Sequence, residues 1–220
     1  MSVVITGDII GSSKLALAGR QQVLNELFDK LFLALRSVWR DRRHLRTEAI
    51  QGDSFQVYLL DDKEALRAAF LIKCFCLAQD KMEGTYRLDC RLSIAVGDVT
   101  LLHPESLAKS GGLVFDYSGR GLKEVSRTGP QLVFEATEVA WARAVSMGLA
   151  LAEALIRHNT PAQSQAVFLK LAHPAQAQDW LAEQAGIGRS AYSQRLKQAN
   201  WTALESLLDY YVQTVKLYFS

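Results

Sequence analysis

The chain reads as an α+β protein: an antiparallel or mixed sheet in β-α-β-β-α-β order, followed by an all-helical segment. Three observations carry that expectation. Short β-branched or alternating apolar runs recur between residues 3 and 134, interrupted by two stretches of helical apolar spacing. After Thr137 the strand signals stop and the spacing stays helical to Ser220. The composition, 49% hydrophobic and 22% charged with 4 prolines in 220 residues, allows a real core and excludes a disordered, collagen-like or low-complexity chain.

The first element is the run Val3-Val4-Ile5-Thr6 into Gly7-Asp8-Ile9-Ile10, a buried strand that ends at Gly11-Ser12-Ser13. Serine before a periodic stretch is an N-cap signal, so a helix is expected from about Leu15 to about Arg40, with Val23, Leu24, Leu27, Leu31 and Leu35 as its stripe. Residues 46–50 and 54–60 flank Gln51-Gly52-Asp53 as a β-hairpin. Asp61 and Asp62 open a second helix bearing Ala65, Ala69, Ile72 and Phe75. Residues 87–96 read as a strand, residues 115–127 as a turn and short helix, and Leu132-Val133-Phe134 as the last strand. The order is ferredoxin-like. Residues 137–158 form a long linking helix, and Asn159-Thr160-Pro161 breaks it, with proline suited to the first position of the next helix. The expected division is 1–136, 137–159 and 160–220.

Lys and Arg number 25 against 23 Asp and Glu, so any nucleic-acid surface has to be local. Cys74, Cys76 and Cys90 are sparse and odd in number; with no signal-peptide pattern at Met1-Ser2-Val3, they predict reduced core thiols and a cytoplasmic protein. The apolar run at residues 144–152 is far short of the roughly 20 residues of a membrane span, so no membrane partner is expected. His103, His158 and His173 lack companions at ligand spacing. Arg36, Arg40, Arg42, Arg43, His44 and Arg46 gather at the end of the first helix, where cations suit the helix dipole, and read as a solvated helix end.

In the expected topology the first strand lies beside the hairpin, so Asp8 and Asp53 converge at one end of the sheet. Paired carboxylates suit Mg²⁺, which takes its remaining ligands from water and phosphate. Gly11, Ser12 and Ser13 would place backbone N–H groups at a helix N-terminus, where phosphate is favoured. Arg120 and Lys123 read either as phosphate contacts or as the solvated face of a short helix.

These residues resemble known proteins. Asp8-Ile9-Ile10-Gly11-Ser12 is similar to the first metal motif of class III nucleotidyl cyclases, and Ile50-Gln51-Gly52-Asp53-Ser54-Phe55-Gln56-Val57 to their second and to the hairpin of diguanylate cyclases. Arg91-Leu92-Ser93-Ile94-Ala95-Val96-Gly97-Asp98-Val99 is similar to the following strand and turn. Ile5-Thr6-Gly7-Asp8-Ile9, Gln51-Gly52-Asp53-Ser54-Phe55-Gln56 and Ser118-Gly119-Arg120-Gly121-Leu122 together resemble the bacterial SatD family. The resemblance implies a nucleotidyl cyclase (palm) topology, metal at Asp8 and Asp53, and nucleotide or phosphate contacts from Gly11, Ser12, Ser13, Arg120, Lys123 and Arg127. It also matches Glu48 to a base-reading glutamate, one residue out of register. Ser54 replaces the second acid of the diguanylate cyclases, and Lys123 the asparagine that holds ribose.

Residues 179–197 fit a helix-turn-helix. Ala182 is small enough for close helix approach, Gly186 takes the turn, Ile187 plugs the corner, and Tyr192 and Leu196 hold the second helix on the core. That leaves Arg189, Ser190, Ser193, Gln194 and Lys197 outward, residue types that read base edges and hold phosphates in the major groove. No acid lies between Gly188 and Asn200. Trp201, Leu204, Leu208, Tyr211 and Val215 form the last core or dimer helix.

The expectation is thus a SatD-like cytoplasmic DNA-binding regulator, a homodimer whose cyclase-like domain takes a Mg²⁺-nucleotide or phosphate ligand. An active Mg-dependent nucleotidyl cyclase or transferase, and a non-catalytic interaction module, are the alternatives.

Overall fold

The computed structural model describes residues 1–15, 19–41, 43–79, 87–125 and 129–219. The protein is α+β, with a mixed five-stranded sheet and eight α-helices among the described residues. β1 (Ser2–Ile10) leads to α1 (Arg20–Val38), then the hairpin β2 (Leu45–Ala49) and β3 (Ser54–Leu59), then α2 (Ala65–Ala78) and β4 (Asp89–Gly97). A further α3 (Leu113–Glu124) leads to β5 (Leu132–Ala136). The helices α4 (Val139–Ile156), α5 (Pro161–Ala172), α6 (Gln178–Gln184), α7 (Arg189–Gln198) and α8 (Trp201–Tyr218) complete the chain.

The sheet order is β2-β3-β1-β4-β5. β1 is antiparallel to both β3 and β4, and β5 is parallel to β4. The hairpin does lie beside the first strand: Asp8 faces Ser54 across β1 and β3. The period of two in β1 divides its side chains between the faces. Val3, Ile5 and Ile9 join the larger core under α1 and α2, whereas Val4 joins Tyr58, Ala95, Leu107, Val114 and Phe115 under α3.

Close approach explains Gly7. A methyl group there would meet the Phe55 ring at 2.5 Å and Leu92 at 2.7 Å, so the middle of the sheet accepts only glycine without displacing the ring.

Most elements fall within a few residues of expectation. The exception is α1, which starts at Arg20 after Gly19; Ser12 begins only a one-turn 3-10 helix, Ser12–Lys14. Instead of a helix stacked directly on the Gly-Ser turn, Arg20 Nη2 reaches back to the carbonyls of Ser13 and Leu15, both at 2.9 Å.

α2 is buried almost all round, including Lys73. Its ammonium makes an ion pair with Asp89 at 2.6 Å and donates to the Cys90 carbonyl at 2.8 Å and Gln131 Oε1 at 2.7 Å. The buried cluster that starts at the sheet continues past residue 160 through α5 into α7 and α8. Thr160 caps α5 in a reciprocal capping box with Gln163, with Pro161 at its first position as expected. Trp141 joins α4 to α8, stacking on Tyr211 at 5.6 Å and donating to Thr214 at 2.9 Å. α4 is long and apolar enough to cross a membrane by length and composition, with mean hydropathy 1.5. In this fold its Val145, Leu149 and Ile156 are core residues.

Two outcomes test this packing. Gly7→Ala is expected to cost about 1–3 kcal/mol through overpacking, read as a lower urea midpoint at unchanged slope; an unchanged midpoint would mean the Phe55 ring moves freely. Burial pushes the Cys74 thiol up to about 12 and that of Cys90 well above its ordinary value. All three cysteines are buried. At neutral pH a thiol reagent should therefore find no fast-reacting cysteine in the native protein and three after unfolding.

Candidate functional site

β1 ends at a turn through Gly11, and the tip of the β2–β3 hairpin lies against that end. The Ile9 N–H donates to the Asp53 carbonyl at 3.1 Å, and the Ser12 hydroxyl donates to Asp53 Oδ2. The structure therefore brings Gly11, Ser12, Ser13 and Asp53 together. They line a cleft of about 340 Å³ with Lys14, Arg91 and Gln131. The volume is at the small-molecule end of ligand sites.

Asp8 lies behind this cleft. The antiparallel register sets it directly opposite Arg91. Arg91 Nε donates to Oδ1 at 2.8 Å and Nη2 to Oδ2, a two-pronged pairing of guanidinium and carboxylate. These hydrogen bonds hold the Arg91 guanidinium further above its ordinary pKa, opposed by partial burial and reinforced by the charges of Asp8 and Asp53. The arginine is thus a fixed cation at the cleft wall.

The two carboxylates of the expected metal pair are placed in different surroundings. Both Asp8 oxygens accept from Arg91, and Asp53 is the carboxylate that lines the cleft. Among the described residues no three His, Cys, Asp or Glu side chains gather as a metal-binding group. Mg²⁺, which takes one or two carboxylates and completes its shell with water and phosphate, would meet Asp53 here, with Asp8 engaged by Arg91. The helix N-terminus expected at Gly11-Ser12-Ser13 is also replaced, because only the single 3-10 turn follows it.

The second set of phosphate contacts is not brought here. Arg120 on α3 pairs with Glu135 at 3.6 Å and lies over the Tyr117 ring at 5.0 Å. Neither it nor Lys123 lines the cleft. Arg127 lies outside the described residues. Glu48 accepts from the Ser106 hydroxyl at 2.9 Å and from the Leu107 N–H, so it holds the turn that opens at Leu107. Arg91 and Gln131 were not singled out as site residues by sequence. Arg91 was visible in the motif that follows the hairpin, but its role depends on a partner 83 residues away.

Gln131 joins the cleft to the core. Its side-chain oxygen accepts from Lys73, and its N–H donates to Glu153 Oε2 on α4 at 2.7 Å. Glu153 is 1% exposed and also receives the Leu132 N–H and Arg157.

In the tail, α6 ends with Gly186 at φ 66°. The Ile187 N–H returns to the Ala182 carbonyl at 3.0 Å and the Gly186 N–H to Glu183 at 2.9 Å. This paired closure needs a left-handed residue at Gly186. Ala182, Tyr192 and Leu196 are buried, and the Tyr192 hydroxyl donates to the Ala166 carbonyl on α5 at 2.8 Å. Arg189, Ser190, Ser193, Gln194 and Lys197 are all exposed on α7. Arg189 makes an open ion pair with Asp179 at 3.5 Å. Ser193 and Lys197 also face a groove of about 550 Å³ against the start of α8.

No protein-family model and no curated protein matches the chain. Among solved structures it is similar to a bacterial light-regulated adenylyl cyclase, with 14% identity, 66% of this chain and 79% of that one covered, and a TM-score of 0.48. At that identity and score the likeness settles neither fold nor chemistry.

Proposed function

We propose that the chain is a SatD-like, ligand-responsive DNA-binding regulator whose sheet unit has a cyclase-like topology without cyclase chemistry. The ligand is a nucleotide or related phosphate compound held in the cleft between Ser12, Asp53, Arg91 and Gln131. The observation that carries this reading is the Asp8–Arg91 pair, a guanidinium aimed by a buried carboxylate at the wall of a small-molecule-sized cleft. Arg91 offers a phosphate oxygen the N–H groups that Asp8 leaves unoccupied, and the Ser12 hydroxyl and Gln131 amide supply further hydrogen-bonding groups. Asp53 disfavours a bare anion beside it and favours a ligand with a donor group, such as a sugar hydroxyl.

The exposed face of α7 supports a DNA contact in the tail. Arg189, Lys197 and the half-buried Arg195 give the helix a charge of +3 with no acid in it. Three phosphate contacts give a salt slope of only about −2.7, so two copies are needed for firm binding, and the proposed binding form is a homodimer. Ligand occupancy then acts by favouring one spacing of the two α7 helices, since only a difference in affinity between states couples two sites.

Titration with a labelled nucleoside triphosphate in EDTA should show one binding step that weakens at least about tenfold in Arg91→Ala, with partial recovery in Arg91→Lys, which keeps charge but loses the fork. Losing the pair also leaves Asp8 unpaired, at about 1–3 kcal/mol of stability. Binding that is unchanged in Arg91→Ala sinks the ligand site, and Mg²⁺-dependent turnover abolished by Asp53→Asn would make the protein an enzyme instead. For DNA, fluorescence anisotropy should show salt-sensitive binding that is lost in Arg189→Ala/Lys197→Ala; a parent protein with no such binding removes the regulator reading.

A further inference from the structure

The arginines at the end of α1 surround a second cleft, of about 570 Å³, lined by Arg36, Trp39, Arg40, Arg46 and Thr47 among others. It is far from the first. Leu45, at the start of β2, pairs with Leu59, which pairs with Val3; Asp53 and Ser12 lie at the opposite end of β1. Six residues of strand separate Val3 from Ile9, about 20 Å.

The guanidiniums here are positioned by neutral groups. Arg36 donates to the Thr47 hydroxyl at 3.0 Å, and Arg46 to the His103 carbonyl at 2.6 Å. Among the described residues neither they nor Arg40 has a carboxylate partner; Glu105 follows the lining residue Pro104, and the other neighbouring acids are committed elsewhere. Asp41 binds Arg43 and His44, and the Arg43 hydrogen bond holds its carboxyl down at about 2. Glu48 is turned to Ser106 and Leu107, and Glu64 to Arg67 at 2.7 Å. Trp39 adds an indole, over which the Arg67 guanidinium lies at 5.4 Å. Three uncompensated cations around one small-molecule-sized cleft with an aromatic wall form more than a solvated helix end.

We propose that this cleft is a second ligand site, separate from the first, which takes a nucleoside polyphosphate: phosphates on Arg36, Arg40 and Arg46, and the base against Trp39. Arginine suits this task because its planar fork matches phosphate oxygens, and two or more phosphates are needed to balance three cations. The cleft volume suits a free nucleotide rather than a strand of nucleic acid.

The test titrates the full chain with ATP, GTP and inorganic tripolyphosphate in EDTA, following stoichiometry by calorimetry and intrinsic tryptophan fluorescence. Two triphosphates per chain are expected. Arg36→Glu/Arg40→Glu, which alters exposed side chains and should leave the circular dichroism spectrum unchanged, removes one of them and weakens that site at least about tenfold. Arg91→Ala leaves this site intact, so one nucleotide still binds even if the first cleft holds none. Nucleotide should quench fluorescence in the parent and in Arg91→Ala, but not in Trp39→Phe, and tripolyphosphate should bind more weakly than ATP. The proposal is overturned if triphosphate binding survives the Arg36→Glu/Arg40→Glu change in full, if Arg91→Ala abolishes all binding, or if a single-stranded 12-mer displaces ATP from this cleft at lower concentration than ATP itself binds.

Discussion

Helix α2 has no solvent face to spare, and much of the architecture follows from that. Ala65, Leu66, Ala68, Ala69, Phe70, Leu71, Ile72, Cys74, Cys76 and Leu77 point in every direction around it and are all buried. A helix that is apolar all round must be covered on all sides. The sheet covers one side through β4, and α5, with contributions from α8, covers the other. The C-terminal helices are thus part of what keeps the central helix dry, whatever else they do. Arg67 reinforces the contact by donating to the Leu171 carbonyl at the end of α5 at 2.8 Å.

The same burial dictates how charge is handled inside. Lys73 is the fully buried cation of α2, and it is tolerated because Asp89, the Cys90 carbonyl and Gln131 satisfy its three protons. Glu153 on α4 is treated likewise, through the backbone of Gln131 and Leu132. Gln131 is therefore held from both sides at the floor of the first cleft. A cleft wall built from satisfied core polar groups is held in one arrangement.

Asp8 and Asp53 illustrate how one sequence feature divides into two roles. They are neighbours at the end of the sheet, yet only Asp53 faces the cleft, while Asp8 directs Arg91. Strand register thus gives one carboxylate a guanidinium partner and leaves the other at the cleft. The net charge near neutrality conceals this and two other local concentrations, the outer face of α7 and the arginine cleft at the edge strand β2.

What the sequence alone determined is local in origin: the apolar strand β1, the Gly-Asp hairpin, the helical period of the second half, the break at Thr160 with Pro161 opening the next helix, and the left-handed turn at Gly186. Each depends on residues within a few positions of one another, where spacing and backbone preference act directly. Tertiary structure decided the rest. The start of α1 at Arg20 rather than near Leu15 is a matter of how the chain leaves the Gly11 turn. The pairing of Asp8 with Arg91 is set by strand register, a one-residue slip of which would send the arginine to the other face. The placement of Arg120 beside Glu135 follows from how α3 lies across β4 and β5. The neutral tethers of Arg36 and Arg46 come from a strand and a loop brought together only by folding. Two aspartates near the right end of a sheet were legible in the sequence; which of them meets solvent and which meets arginine was not, because that depends on a strand 83 residues further along the chain.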